Sequence, residues 1–214
     1  MTTDSPPCPD SSLADSIVAA VAGVAECGYV VLPHFLPAAA VAALRTECLT
    51  RWRSGELAAA GIGRAAQHQR RVEIRGDHIL WLDEAAATPP VAAYFVVLEQ
   101  LRLAVNESLL VGLFEFEGHF AVYPPGTFYR RHLDRFSDHD ARVLTCILYL
   151  NEDWDADDGG QLRIHSDAIA PAAQLDVLPE GGTFVGFLSA EFPHEVLPAR
   201  CERMAITGWF RRRA

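Results

Sequence analysis

Apolar residues recur at helical spacing from Leu13 to Cys27, LADSIVAAVAGVAEC, with Ser11 or Ser12 in front to cap a helix and Gly28 behind to stop it. Tyr29 to Leu32, YVVL, reads as a short strand. A second helix is predicted over about Pro37–Trp52, with its proline in the first turn. Residues 54–70 are rich in Gly, Ala and Gln without a clear period, which predicts a loop. Val72–Glu84, VEIRGDHILWLDE, predicts two strand pieces around a Gly76-Asp77 turn. Pro89–Leu109 predicts a third helix, opened by prolines.

Beyond about Phe114 the pattern changes to short β-branched and aromatic runs separated by turns: HFAVYPPG, FYRRHLD, RVLTCILYLN, GGQLRIH, AAQLDVLP, GGTFVGFL, HEVLPA and RMAITGWF. Eight such runs fit a double-sheet jelly roll. Helices first and strands later predict an α+β fold, with the helices bracing one sheet from outside. The expected organisation is a disordered tail over 1–12 and one domain over 13–214, with helical support at 13–113 and the jelly-roll core at 114–214. No internal repeat or linker divides it.

Composition narrows the function classes. The 214 residues carry a net charge of −10, the opposite of the basic footprint that a nucleic-acid binder needs. Half of the residues are hydrophobic, enough for a sizeable core. The five cysteines are odd in number and form no C-x-x-C pair, which argues against a disulfide framework or zinc ribbon and for reduced thiols. The N-terminus, MTTDSPPCPDSS, has no basic n-region, and later apolar runs are short and broken by charge. The expectation is a soluble cytoplasmic protein without membrane or nucleic-acid partners; composition sets no oligomeric state.

The segment YRRHLDRF, Tyr129–Phe136, carries the first chemistry. In a strand, residues i and i+2 share a face, so His132 and Asp134 project together while Leu133 points away. One imidazole and one carboxylate are two legs of a metal site, and His194 in EFPHEV offers a third from a later strand. Two His and one carboxylate with positions left open suit a non-haem Fe(II) oxygenase. H-x-D is common by chance, and His165-Ser166-Asp167 is a rival, as are Asp138 and Asp140. Arg203 in RMAITGWF tips the balance towards His132. On the strand after His194 it is expected to reach back into the same cavity, where a guanidinium grips a carboxylate through parallel N–H bonds.

At these residues the chain resembles a known family. VLTCILYLNEDWDADDGGQLRI (Val143–Ile164), HEVLPA, RMAITGW and IRGDHILWL resemble the prolyl 4-hydroxylase branch of the Fe(II)/2-oxoglutarate-dependent dioxygenases, in particular the HIF prolyl hydroxylases and their bacterial counterparts. The resemblance runs from about Val72 to Phe210. It implies a distorted double-stranded β-helix, iron held by His132, Asp134 and His194, and 2-oxoglutarate chelating the metal with its far carboxylate on Arg203. It further implies that Tyr149, Tyr123 and Thr207 serve the co-substrate, that Arg142 and Trp209 meet the substrate, and that Arg75 and Asp77 are the charged elements of a mobile finger. O2 is then the second co-substrate, with ascorbate as a stimulant. YPPGTFY departs from the glycine-richer loop of the family.

The activity the resemblance implies is trans-4 hydroxylation of a prolyl residue in an exposed loop of a target protein, with oxygen sensing as one use. Bacterial relatives modify elongation factor Tu, which makes that protein the favoured substrate. Two other readings stand beside it: a 2-oxoglutarate oxygenase of a free amino acid or small metabolite, and a non-enzymatic jelly-roll interaction module. Without the family, each residue also has a plainer reading. Tyr149 and Trp209 fit a packed core, Arg142 a solvated charge, and Arg75 and Asp77 a hairpin turn.

Overall fold

The structure, a computed structural model, describes residues 12–61, 71, 73–134, 141–165 and 174–213. Helix α1 (Leu13–Cys27) starts at a capping box in which the Ser12 side chain accepts from the Asp15 N–H and the Asp15 carboxylate accepts from the Ser12 N–H. It ends at Gly28, whose φ of 76° fits the left-handed stop that glycine favours. Strand β1 (Tyr29–Leu32), helix α2 (Ala38–Arg53) and the two-residue strand β2 (Ala58–Ala59) follow. The first of the two strand pieces expected after Val72 is instead a turn at Glu73 and Ile74, leaving Arg75 in a single bridge. The second is β3 (His78–Trp81), and α3 spans Pro89–Leu109.

The later part of the chain forms eight strands: β4 (Glu115–Tyr123), β5 (Tyr129–His132), β6 (Arg142–Tyr149), β7 (Leu162–His165), β8 (Gln174–Val177), β9 (Phe184–Leu188), β10 (His194–Val196) and β11 (Arg203–Arg211). They build two antiparallel sheets. The larger has the order β1-β9-β6-β11-β4-β3-β2 and the smaller the order β5-β10-β7-β8. The first half of the chain thus lends three strands to the edges of the larger sheet besides its helices.

Two cores flank the larger sheet, and the strand period of two assigns residues to each. Phe120 and Val122 of β4, Leu144, Cys146 and Leu148 of β6, and Met204, Ile206 and Phe210 of β11 pack with α1, α2 and α3 on its outer face. Ala121, Tyr123, Ile147, Tyr149, Val185, Phe187 and Ala205 point the other way, onto Leu162, Ile164, Val177 and Val196 of the smaller sheet. Each fully buried Leu or Phe contributes about 1.5–3 kcal/mol relative to exposure. The helices therefore hold one face of the floor rigid, and the other face is free to carry chemistry. No helix among the described residues is long and apolar enough to cross a membrane.

Candidate active site

His194 lies opposite His132 across the β5–β10 pairing and opposite Ile164 across β7–β10. The register brings the two imidazole centroids to 4.3 Å. His132 Nδ1 sits 2.8 Å from the Arg130 carbonyl and His194 Nδ1 sits 2.9 Å from the Phe192 carbonyl. A carbonyl can only accept, so each Nδ1 carries a proton, and each Nε2 is the nitrogen that the neutral ring would offer to a metal. Those two nitrogens face the Asp134 carboxylate, His132 Nε2 at 3.5 Å from Oδ1 and His194 Nε2 at 3.5 Å from Oδ2.

Asp134 reaches this position differently from expectation. β5 ends at His132, and Asp134 stands in a bend two residues later. No strand ladder holds it. Its Oδ2 instead accepts a 2.9 Å bond from the Thr145 hydroxyl of the facing sheet. Burial alone would raise its carboxyl, but the neighbouring His194 and His132 outweigh that and hold it well below the usual carboxylate range. Burial depresses His194 to about 4, so its imidazole is neutral at neutral pH and able to ligate. Donor atoms of His132, Asp134 and His194 lie within 4.8 Å of one another, a donor set suited to Fe(II) with positions to spare.

The larger sheet supplies the opposite wall. Arg203, Thr207 and Trp209 share the inward face of β11, Arg203 opposite Tyr123, Thr207 opposite Ile147 and His119, and Trp209 opposite Thr145 and Glu117. Tyr149 pairs with Ala205 on the same face. Sequence spacing suggested that Arg203 reaches back from the strand beside His194. In the fold, β10 pairs with β5 and β7, and Arg203 enters the cavity from the facing sheet.

Arg203 is 2 % exposed, and no carboxylate of the described residues pairs with it. Its Nε donates to the Gly160 carbonyl at 2.8 Å, and its guanidinium carbon lies 4.9 Å from the Tyr149 ring centroid and 5.2 Å from that of Tyr123. The Tyr149 hydroxyl is fully buried and has no hydrogen-bond partner among the described residues. Burial pushes both tyrosines up, so each hydroxyl keeps its proton. A buried cation without a counter-ion beside an unsatisfied buried donor is costly unless an anion completes it. The chemistry of this end of the cavity therefore fits the distal carboxylate of 2-oxoglutarate. Gly160 makes the cradle possible: it has φ 69°, and a Cβ there would stand 3.2 Å from Arg203 Cδ and 2.9 Å from Ala199 Cβ.

Nearer the metal donors, the Arg142 guanidinium lies 3.5 Å over the Trp209 ring and donates to Glu117 at 2.8 Å. It is a fixed wall element, and Thr207, one inward position before Trp209 on β11, is half-buried. Arg75 and Asp77 form a two-pronged ion pair with bonds of 2.7 and 2.5 Å, and Asp77 is 1 % exposed. The pair neutralises itself here and does not present two charges to solvent. Arg75 also covers the Tyr129 ring at 4.4 Å, and that ring stacks on His132 at 3.6 Å.

Sequence reasoning passed over Thr145, Ser189, Tyr129 and His119. Thr145 did carry a signal, as a hydroxyl in the apolar run TCILYL. His119 is buried, lowered by that burial to about 4, and its ring centroid lies 5.0 Å from the half-exposed Trp81 and 5.6 Å from Trp209. Of the rival ligands, His165 pairs with Glu195 at 3.0 Å, and Asp138, Asp140 and Asp167 lie outside the described residues. A separate cavity of about 890 Å³ opens between residues 34–45, 150–154 and 180–182, and includes none of the metal donors.

Comparison with known proteins points the same way. The family model of the 2OG-Fe(II) oxygenase superfamily matches residues 118–211. Human Egl nine homolog 1 is 37 % identical over 146 residues, covering 64 % of this chain and 33 % of that protein. The chain thus spans about a third of the length of the first curated relative it matches. A solved Pseudomonas putida prolyl-4-hydroxylase is 49 % identical with a TM-score of 0.84, covering 92 % of this chain and 99 % of that one. A prolyl hydroxylase from Trichoplax adhaerens, solved with a hypoxia-inducible factor oxygen degradation domain peptide, is 25 % identical with a TM-score of 0.82 and covers 95 % and 94 %.

Proposed function

We propose that this chain, which belongs to the 2OG-Fe(II) oxygenase superfamily, hydroxylates a prolyl residue of a target protein. The observation that carries the reading is the pairing, across one buried cavity, of the His132–Asp134–His194 donor set with the uncompensated Arg203 cation. When bound, ferrous iron, 2-oxoglutarate and O2 supply the oxidising power that puts one oxygen atom into a C–H bond, with succinate and CO2 as co-products. Similarity to the Pseudomonas putida prolyl-4-hydroxylase along nearly the whole chain supports proline as the residue attacked. The Trichoplax adhaerens complex supports a peptide segment as its carrier.

In this reading His132, Asp134 and His194 hold the metal on one side. Arg203 and the Tyr149 hydroxyl fix the distal carboxylate of the co-substrate, with Tyr123 and Thr207 lining its channel. Arg142, held flat on Trp209, walls the place where the prolyl ring enters, and the Arg75–Asp77 pair closes over Tyr129 beside it. The half-exposed Trp81 stands at that rim. The buried wall of Trp209, Tyr123 and Tyr149 excludes water, which keeps the oxidation directed at the bound C–H. Elongation factor Tu is the first target to test, within the cytoplasm.

The purified protein, loaded with Fe(II) and 2-oxoglutarate, is incubated with an extract of cells lacking its gene. Succinate release is expected together with one oxygen gained at a prolyl residue. Succinate release on free proline, with no prolyl change in any protein, would instead select oxidation of a small metabolite.

A further inference from the structure

Asp134 is the one metal donor that its own strand does not hold. His132 and His194 are fixed by the β5–β10 pairing and by bonds from Nδ1 to backbone carbonyls. Asp134 stands beyond the end of β5, with residues 135–140 outside the described chain. Its carboxylate meets one buried hydroxyl, Thr145, which is itself bonded to a second, Ser189. Thr145 and Ser189 are both 0 % exposed. Thr145 Oγ1 is 2.9 Å from Asp134 Oδ2, and Ser189 Oγ is 2.9 Å from Thr145 Oγ1.

The direction of the chain follows from the chemistry of its end. An ionised carboxylate only accepts, so the Thr145 proton goes to Asp134. Thr145 Oγ1 is then left as an acceptor, and the Ser189 hydroxyl donates to it. Both hydroxyls belong to the larger sheet. Thr145 lies within β6, opposite Trp209 of β11 and Phe187 of β9, and Ser189 directly follows β9 with its N–H bonded to the Val143 carbonyl at 2.9 Å. The backbones at both positions are thus held by hydrogen bonds of the larger sheet. A buried hydroxyl must have a partner, and valine has the same shape as threonine without one. The larger sheet therefore reaches across the cavity to hold the carboxylate of the other wall, occupying Oδ2 while Oδ1 turns towards His132.

We propose that Thr145 and Ser189 are positioning residues for the metal centre: a two-hydroxyl tie from the helix-braced sheet that sets the rotamer of the Asp134 carboxylate and presents Oδ1 as its ligating oxygen. This rests on the metal-site reading above. Outer hydrogen-bond partners of metal ligands typically change affinity by about 10–100-fold. Thr145→Val is expected to fall in that range and Ser189→Ala nearer its lower end, whereas Thr145→Ser, which keeps the hydroxyl, stays within about 3-fold of the parent.

The test uses the full chain without oxygen. Co(II) binding is titrated by its visible d–d absorption in the presence of 2-oxoglutarate, and the metal-free melting temperature of each variant is recorded. Support is weaker Co(II) binding and an altered d–d spectrum in Thr145→Val, both restored in Thr145→Ser, with the metal-free melting temperature little changed. Thr145→Val binding Co(II) like the parent would overturn the role. So would equal losses in Thr145→Val and Thr145→Ser tracking a lowered melting temperature, which marks a packing effect. If Thr145→Val fails to fold, Ser189→Ala decides, and parental affinity there overturns the tie. A parent protein that takes up no divalent ion would strike the metal centre itself, a failure distinct from loss confined to the variants.

Discussion

His132→Ala and Asp134→Ala each reduce Fe(II) affinity by more than about 100-fold, beyond what the loss of an outer hydrogen-bond partner causes. Each removes one of three donors, and no other donor group of the described residues clusters there to replace it. The two differ in what they leave behind. Without His132, Asp134 keeps its bond from Thr145 and its neighbour His194. Without Asp134, two imidazoles face a cavity with no carboxylate among its metal donors to offset a dication. The aspartate variant therefore loses the larger share of affinity. His165→Ala removes a part-buried imidazole bound to Glu195 and outside the donor cluster, and leaves Fe(II) affinity within about 3-fold of the parent. Calorimetric titration of Fe(II) without oxygen measures all three. Parental affinity in His132→Ala would overturn the ligand assignment.

The second large effect is at Arg203. Truncating one partner of a buried charge pair costs about 3–5 kcal/mol, which is on the order of 100-fold or more in affinity. Arg203→Ala is therefore expected to weaken 2-oxoglutarate by that factor while Fe(II) binding alone stays near the parent. Arg203→Lys keeps the charge and loses the planar fork, so an intermediate affinity is expected. The metal-free protein should respond in the opposite sense. The guanidinium there is buried without a carboxylate, so Arg203→Met removes an uncompensated charge and raises the melting temperature of the ligand-free state. Thermal melting with and without 2-oxoglutarate separates these effects. An Arg203→Met variant stabilised by 2-oxoglutarate as much as the parent would exclude this end of the cavity as the carboxylate site.

Much of this architecture is legible in the chain because local rules and the fold agree. Ser12 with Asp15, and Gly28, mark α1 by hydrogen-bond chemistry that tertiary packing does not override. The eight short runs after Phe114 are eight strands: β4, β6, β9 and β11 alternate between a core against the helices and a core against the smaller sheet, and the other four form that smaller sheet. Placement of the strands in sheets is another matter. RMAITGWF follows HEVLPA in sequence, yet β11 and β10 belong to opposite walls. Spacing reports which faces two residues present and says nothing of which sheet receives them.

The site shows the same division. His132 and His194 follow from strand parity and register. Asp134 shares the cavity although it has left the strand, because a bond from the facing sheet places it. Thr145 lies 11 positions along the chain from Asp134 and Ser189 lies 44 from Thr145, and only the folded contact reveals them. Arg75 and Asp77 are two residues apart, so their pairing was open to local reasoning. Their cover over Tyr129, and through it over His132, depends on the bridge between Arg75 and Tyr129.

The central claim is prolyl hydroxylation by this iron and 2-oxoglutarate centre. Quantitative mass spectrometry of whole proteomes, from cells with the gene, without it, and complemented with the parent or with His132→Ala, tests it most directly. The account predicts at least one prolyl residue, in an exposed loop, that carries an added oxygen in parent cells, loses it in the deletion, and regains it with the parent gene and not with His132→Ala. Prolyl oxidation unchanged across all four would contradict it.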